Sequence, residues 1–177
     1  MNIYCSHELG YGLPQFKVDN VKDALELAAN TLSNIGEKYV QEALFIITVG
    51  GDDTVRTVRL LALGTYNSVP ISTNEICKQA VKDAAKSILI LHCHPGSDAT
   101  LIKPSENDIR ITDRLLQACS LLDIYLIDHI IIGDNFVNDH YFYSMRKNSA
   151  LNFDQYIQAD YIKDNFAKEP YELNWRK

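Results

Sequence analysis

The run Ser87-Ile88-Leu89-Ile90-Leu91 is short, uncharged and rich in β-branched residues, and Pro95-Gly96 closes it soon afterwards, which makes it a buried strand. The residues beyond Leu91 constrain the rest of the chain. His92-Cys93-His94 carries the strand to its end, residues 95–104 form a loop, and Ser105 opens a helical pattern. Side chains alternate across a strand, so His92 and His94 project from one face and Cys93 from the other. Two imidazoles on one face can bite a metal.

The donor types narrow the metal. Neutral imidazole with carboxylate suits zinc, and a catalytic zinc keeps three protein ligands and a fourth position for water. His92, His94 and Asp108 supply two nitrogens and one oxygen. The chemistry then needs one more carboxylate, to take a proton from water and return it to the leaving group, and spacing alone does not identify it. Two plainer readings stand beside this one. Ser105-Glu106-Asn107-Asp108 also fits a helix capping box, and a His-x-His pair can sit on a strand rim without any ligand. What weighs toward a metal is the coincidence of pair, turn and acidic helix start behind one buried strand.

With 177 residues, 46% of them apolar and 23% charged, the chain suits one soluble globular domain with a short appendage. No apolar run approaches the roughly 20 residues of a membrane span, and the start MNIYCSHELGYG has neither the basic region nor the apolar core of a signal peptide. A cytoplasmic protein is the expectation. Cys5, Cys77, Cys93 and Cys119 are scattered without a Cys-x-x-Cys pair, which argues against a thiolate zinc knuckle and a disulfide framework. The formal charge of −6 argues against a broad basic footprint for duplex nucleic acid and leaves room only for a local patch.

Taken in order, residues 1–17 read as an irregular arm with Gly10, Gly12 and Pro14. Asp19 or Asn20 caps a helix whose core face is Val21, Ala24, Leu25, Ala28, Leu32 and Ile35. Residues 42–49 form a buried strand, Gly50-Gly51-Asp52-Asp53 a turn, and residues 54–63 its hairpin partner. Asn74 caps a helix through Lys86, with Ile76, Ala80, Val81 and Ala84 inward. Beyond Ser105, the positions Ile109, Leu115, Leu116, Cys119 and Leu122 define an amphipathic helix, with strands after it over 124–132 and near 136–144. His129, in the first of these strands, is read as a packed group supporting the ligands, with ligation in place of Asp108 as the alternative. His7 and His140 lie outside any visible cluster. Phe153, Tyr156, Ile157 and Tyr161 share one helical face in an appendage over 152–177, docked on the domain at 18–151. This order of elements points to an α/β fold, a mixed sheet with helices packed against it.

With these residues in place, the chain resembles the RadC-like branch of the MPN/JAMM (JAB domain) zinc metallopeptidase superfamily. The matching blocks are EALFIIT from Glu42, GTYNSVPI from Gly64, SILILHCHPG from Ser87, PSENDIRITDRLL from Pro104 and DHIIIGD from Asp128, in the family's order. The resemblance implies a three-layer, deaminase-like arrangement with a mixed sheet between helices. It implies that His92, His94 and Asp108 hold Zn2+, that Glu42 is the acid-base residue, and that Ser105 stabilises the oxyanion. The role of Glu42 comes from the resemblance alone. One departure is visible: ten residues separate His94 from Ser105, a longer stretch than the family usually has, as though Leu101-Ile102-Lys103 were inserted. Loops absorb such insertions at small entropic cost, so Asp108 can still fold back, with Asp98 as the competing ligand.

The expected function is therefore zinc-dependent hydrolysis of peptide or isopeptide bonds, with a protein or peptide as substrate. A non-catalytic MPN-type interaction module and a DNA-repair-associated factor are the alternatives. A zinc deaminase is disfavoured, because it needs a Pro-Cys-x-x-Cys partner and a glutamate two residues after its histidine.

Overall fold

In the computed structural model, described over residues 41–65, 69–96, 102–133 and 142–154, one sheet of five strands organises the chain. The elements are β1 (Ala43–Val49), β2 (Val55–Leu63), α1 (Thr73–Lys82), β3 (Ser87–Cys93), α2 (Glu106–Leu121), β4 (Tyr125–Ile132), β5 (Phe142–Ser144) and a short α3 (Met145–Asn148). The spatial order is β2-β1-β3-β4-β5, with β3 and β4 parallel and every other pair antiparallel. The α/β class and the mixed sheet are as expected. The expected arm and helix at the start of the chain, Asp98, the loop between β4 and β5, and the appendage beyond Asp154 lie outside the described residues.

Continuous apolar sequence explains the middle of the sheet. ALFIITV in β1 and SILILHC in β3 are buried along their whole length, as strands covered on both faces must be. On one face Leu44, Ile46, Ile88, Ile90, Leu126 and Ile131 pack against Ile76 and Ala80 of α1 and against Ile111, Leu115, Leu116 and Cys119 of α2. Burying each such side chain contributes roughly 1.5–3 kcal/mol, which fixes the helices on this face. Among the described residues no helix is long and apolar enough to cross a membrane. Among the described residues Cys77, Cys93 and Cys119 are free thiols.

Three local expectations need correction. The N-cap of α1 is Ser72 rather than Asn74, because the Ser72 hydroxyl accepts from the Glu75 N–H. The same helix stops at Lys82, not Lys86. Asp83 caps it, held from outside by the Thr48 hydroxyl at 2.9 Å, and Ala84 then takes a positive φ of 49°, leaving Val81 57% exposed and Ala84 at the surface. In α2, Ile109 (39% exposed) and Leu122 (43% exposed) face solvent instead of the core. Ile109 lies in the first turn, and Leu122 is already the C-cap.

Asp128 ties the far edge of the sheet together. Buried in β4, its carboxylate accepts from the Ser144 hydroxyl (2.5 Å), the Arg146 N–H (2.9 Å) and the His129 N–H (2.7 Å). The Arg146 guanidinium then donates to the Ile127 and Leu126 carbonyls and to Asp154, and lies over the rings of Tyr125 and Phe153. Burial raises the Asp128 pKa to about 6, against the opposing pull of Ser144, Arg146 and His129. A carboxyl whose folded pKa lies above its unfolded value contributes stability below the unfolded value, and that contribution is lost as pH rises through about 6. Wild type is therefore expected to lose on the order of 3 kcal/mol relative to Asp128→Asn between pH 4 and 7. Urea unfolding of both proteins across that window measures it. A gap that does not change with pH contradicts the shift.

Candidate metal centre

The carboxyl ends of β3 and β4 and the first turn of α2 meet at one point, and each element delivers its side chain for a separate reason. Antiparallel pairing sets Ala43 opposite Cys93, so Glu42, one residue ahead of β1, falls opposite His94, one residue past β3. Glu42 is pinned there by its N–H to the Thr65 carbonyl (2.8 Å) and its own carbonyl to the Gly64 N–H (2.7 Å). His94 is held by its N–H on the Ile132 carbonyl at 2.8 Å. Asp108 arrives through the capping box. Ser105 caps α2, with its hydroxyl accepting from the Asp108 N–H, while the Asp108 carboxylate takes back the Ser105 N–H at 2.7 Å and the Ser105 O–H at 2.6 Å.

The capping and metal readings of Ser105 and Asp108 are thus compatible, since the same carboxylate also reaches both histidines. Asp108 Oδ1 lies 3.0 Å from His92 Nδ1, and Oδ2 lies 3.4 Å from His94 Nε2. On its other side, His92 Nε2 is 3.3 Å from Glu42 Oε2. The His92 and His94 rings meet edge to face with centroids 4.6 Å apart. The inner wall is closed, with His92, Asp108 and His129 at 3%, 1% and 0% exposure, whereas the Glu42 and His94 side chains line the partly open mouth.

Burial opposes the charged form of Asp108, but the imidazoles of His92 and His94 beside it and the Ser105 hydroxyl outweigh burial and hold the carboxyl far below the usual range. For His129, burial and the neighbouring His92 pull the pKa down to about 3, so the ring is neutral. Among the described residues, two buried side-chain nitrogens, His92 Nδ1 and His129 Nε2, have no hydrogen-bond partner. Such an orphan costs about 1–3 kcal/mol. His92 Nδ1 is near Asp108 without hydrogen-bond alignment, as donors are when they converge on a third atom. Among the described residues, donor atoms fall into two groups within 4.8 Å, Glu42–His92–His94 and His92–Asp108–His129, which share His92. Two partnerless imidazole nitrogens beside a buried carboxylate fit a divalent cation of zinc's class.

Residues 18–150 match the RadC-like JAB domain. The chain belongs to that family. A UPF0758 protein of Clostridium perfringens is 37% identical over 123 residues, covering 70% of this chain and 51% of the relative. A UPF0758 protein of Picosynechococcus is 32% identical over 156 residues, covering 86% of this chain and 60% of the relative. The chain thus spans between half and three-fifths of these relatives' length. In this RadC-like JAB domain Ile102, shortly ahead of Ser105, is buried in the same core cluster as Ile111, Leu115 and Leu116 of α2.

Glu42, His92, His94, Ser105 and Asp108 are all brought together. Two members went unread or underread in the sequence. Thr112 stands four residues after Asp108, on the same face of α2, and that spacing was its only signal. His129, expected as a packed group, is packed, yet it also contributes a donor atom to the buried triad.

Proposed function

We propose that this chain is a zinc-dependent hydrolase of peptide or isopeptide bonds, in which His92, His94 and Asp108 hold the metal, Glu42 moves the proton and Ser105 steadies the oxyanion. The observation that carries the proposal is the Glu42 carboxylate at the mouth of the cluster, 3.3 Å from the imidazole that Asp108 braces from behind. Bound there, zinc supplies the positive charge that acidifies a water and polarises an amide carbonyl.

The chain's own residues do the rest. Glu42 is fixed by its backbone and leaves its carboxylate at the mouth, placed to accept a proton from water and return it to the departing amine. Ser105 is exposed, and its single hydroxyl proton is held by Asp108 Oδ2. Turning that O–H to the developing oxyanion costs one hydrogen bond, while Asp108 keeps the Ser105 N–H. A cavity of about 520 Å³ between β2 and α1 starts beside Glu42 at Gln41 and Gly64 and continues past Leu61, Arg59 and Lys78, room for an extended peptide segment.

Ser105→Ala is expected to lower turnover by about 10²–10³, to cost the helix cap about 1 kcal/mol, and to keep its metal. Single-turnover rates, unfolding curves and metal analysis read the three effects separately. The proposal as a whole is tested by metal content of protein purified without chelator or tag metal. About one zinc per chain, lost in His92→Ala, is the expected result. No uptake at micromolar zinc removes the hydrolase and leaves a non-catalytic interaction module.

A further inference from the structure

Thr112 fixes which nitrogen of His129 carries the proton. Its hydroxyl lies 2.6 Å from the Asp108 carbonyl oxygen and 2.7 Å from His129 Nδ1. A hydroxyl has one hydrogen, and a carbonyl oxygen can only accept. The hydrogen therefore goes to Asp108 O, and His129 Nδ1–H must be the donor to Thr112. His129 Nε2 is left as a bare lone pair, fully buried and without a hydrogen-bond partner.

His129 belongs to a buried donor group. One donor atom each from His92, Asp108 and His129 lie within 4.8 Å of one another, and all three residues are buried. The two shared residues each divide their donors. His92 turns Nε2 to Glu42 and Nδ1 to Asp108, and Asp108 turns Oδ2 to Ser105 and His94 and Oδ1 to His92. We propose that His92, Asp108 and His129 form a second, deeper seat for the divalent cation, an alternative to the outer seat at His92, His94 and Asp108.

Both seats offer two imidazole nitrogens and one carboxylate oxygen, so both accept the same class of ion. They differ in access. The outer seat borders the partly exposed Glu42 and His94, whereas the deep seat is walled by residues at most 3% exposed. His92 meets Glu42 through Nε2 and Asp108 through Nδ1, so the deep seat would hold an ion through Nδ1, the nitrogen turned away from the proton shuttle. The seats share His92, and a neutral imidazole has one lone pair to give, so one ion occupies one or the other.

The inference rests on the metal reading of the site, and zinc titration of metal-free protein separates the two. The proteins compared are wild type, His94→Ala, and His94→Ala combined with His129→Asn, an exchange that keeps a donor for Thr112 and deletes Nε2. Expected are one zinc in wild type, one zinc retained more weakly in His94→Ala, and none in the double variant at micromolar zinc. Loss of zinc already in His94→Ala, or retention in the double variant, overturns the deep seat while the metal reading stands. No zinc in wild type overturns both. Nitrogen-15 spectra of the unsubstituted protein supply a check that needs no folding of variants: His129 is expected as the Nδ1–H tautomer, and an Nε2–H tautomer rules the deep seat out.

Discussion

Glutamine in place of Glu42 is expected to cut amide hydrolysis by about 10²–10⁴-fold, the usual contribution of a positioned acid-base group, while the protein keeps its zinc and its fold. The exchange preserves shape. The backbone bonds that hold this position run to Thr65 and Gly64 and do not involve the side chain, which stands at the mouth of the site. What disappears is the ability to accept a proton and give it back, since an amide does neither at working pH. Metal analysis beside the rate gives the result its meaning. Zinc retained with activity lost assigns Glu42 to proton transfer. Zinc lost makes Glu42 a ligand, as its grouping with His92 and His94 permits, and then Asp108 serves mainly to brace His92. Undiminished activity removes Glu42 from the mechanism altogether.

The sheet was legible because its strands carry their own signal. SILIL and the run from Ile124 to Ile132 are too apolar and too β-branched for other use, and Ser105 with Asp108 marks a helix start from four residues. The end of α1 was not legible. Its stop is made by Asp83 bonding Thr48, 35 residues away in sequence, and by a positive φ at Ala84, a residue that gives no stop signal. Ser72 and Asn74 are both good capping types, and only the formed turn decides between them. The site divides the same way. His92, His94 and Asp108 were candidates on side-chain chemistry and spacing, with a capping box and a ligand-free strand rim as the open alternatives. Nothing local marks Glu42, whose place depends on the register of β1 against β3, and the resemblance alone supplied it. The orphaned nitrogen of His129 exists only once β4 and α2 have packed, because Thr112 must reach across to claim the other nitrogen.

Asp108→Ala is expected to do two kinds of damage, and pairing it with Asp108→Asn separates them. Alanine removes the carboxylate that His92 and His94 face and the acceptor that closes the capping box. Taking one partner from a buried charged cluster costs about 3–5 kcal/mol, and losing side-chain capping about 1 kcal/mol. Because the two losses share atoms they do not simply add, and a fall of at least about 3 kcal/mol in the metal-free protein is the expectation, about 6–12 °C in Tm for a domain of this size. Asparagine keeps an oxygen for the Ser105 N–H and O–H, so it should recover the cap while lacking the charge. Both variants are expected to fail to load zinc, and only alanine to lose the cap energy. The pH dependence takes its sign from the Asp108 shift. A carboxyl held below its unfolded pKa contributes stability above about pH 4, and that contribution is lost as pH falls further. Wild type should therefore converge on Asp108→Asn under acid and diverge from it toward neutrality. A variant lacking the carboxylate that still loads one zinc as tightly as wild type would move the ligand set to His92, His94 and Glu42, leaving Asp108 as a cap alone.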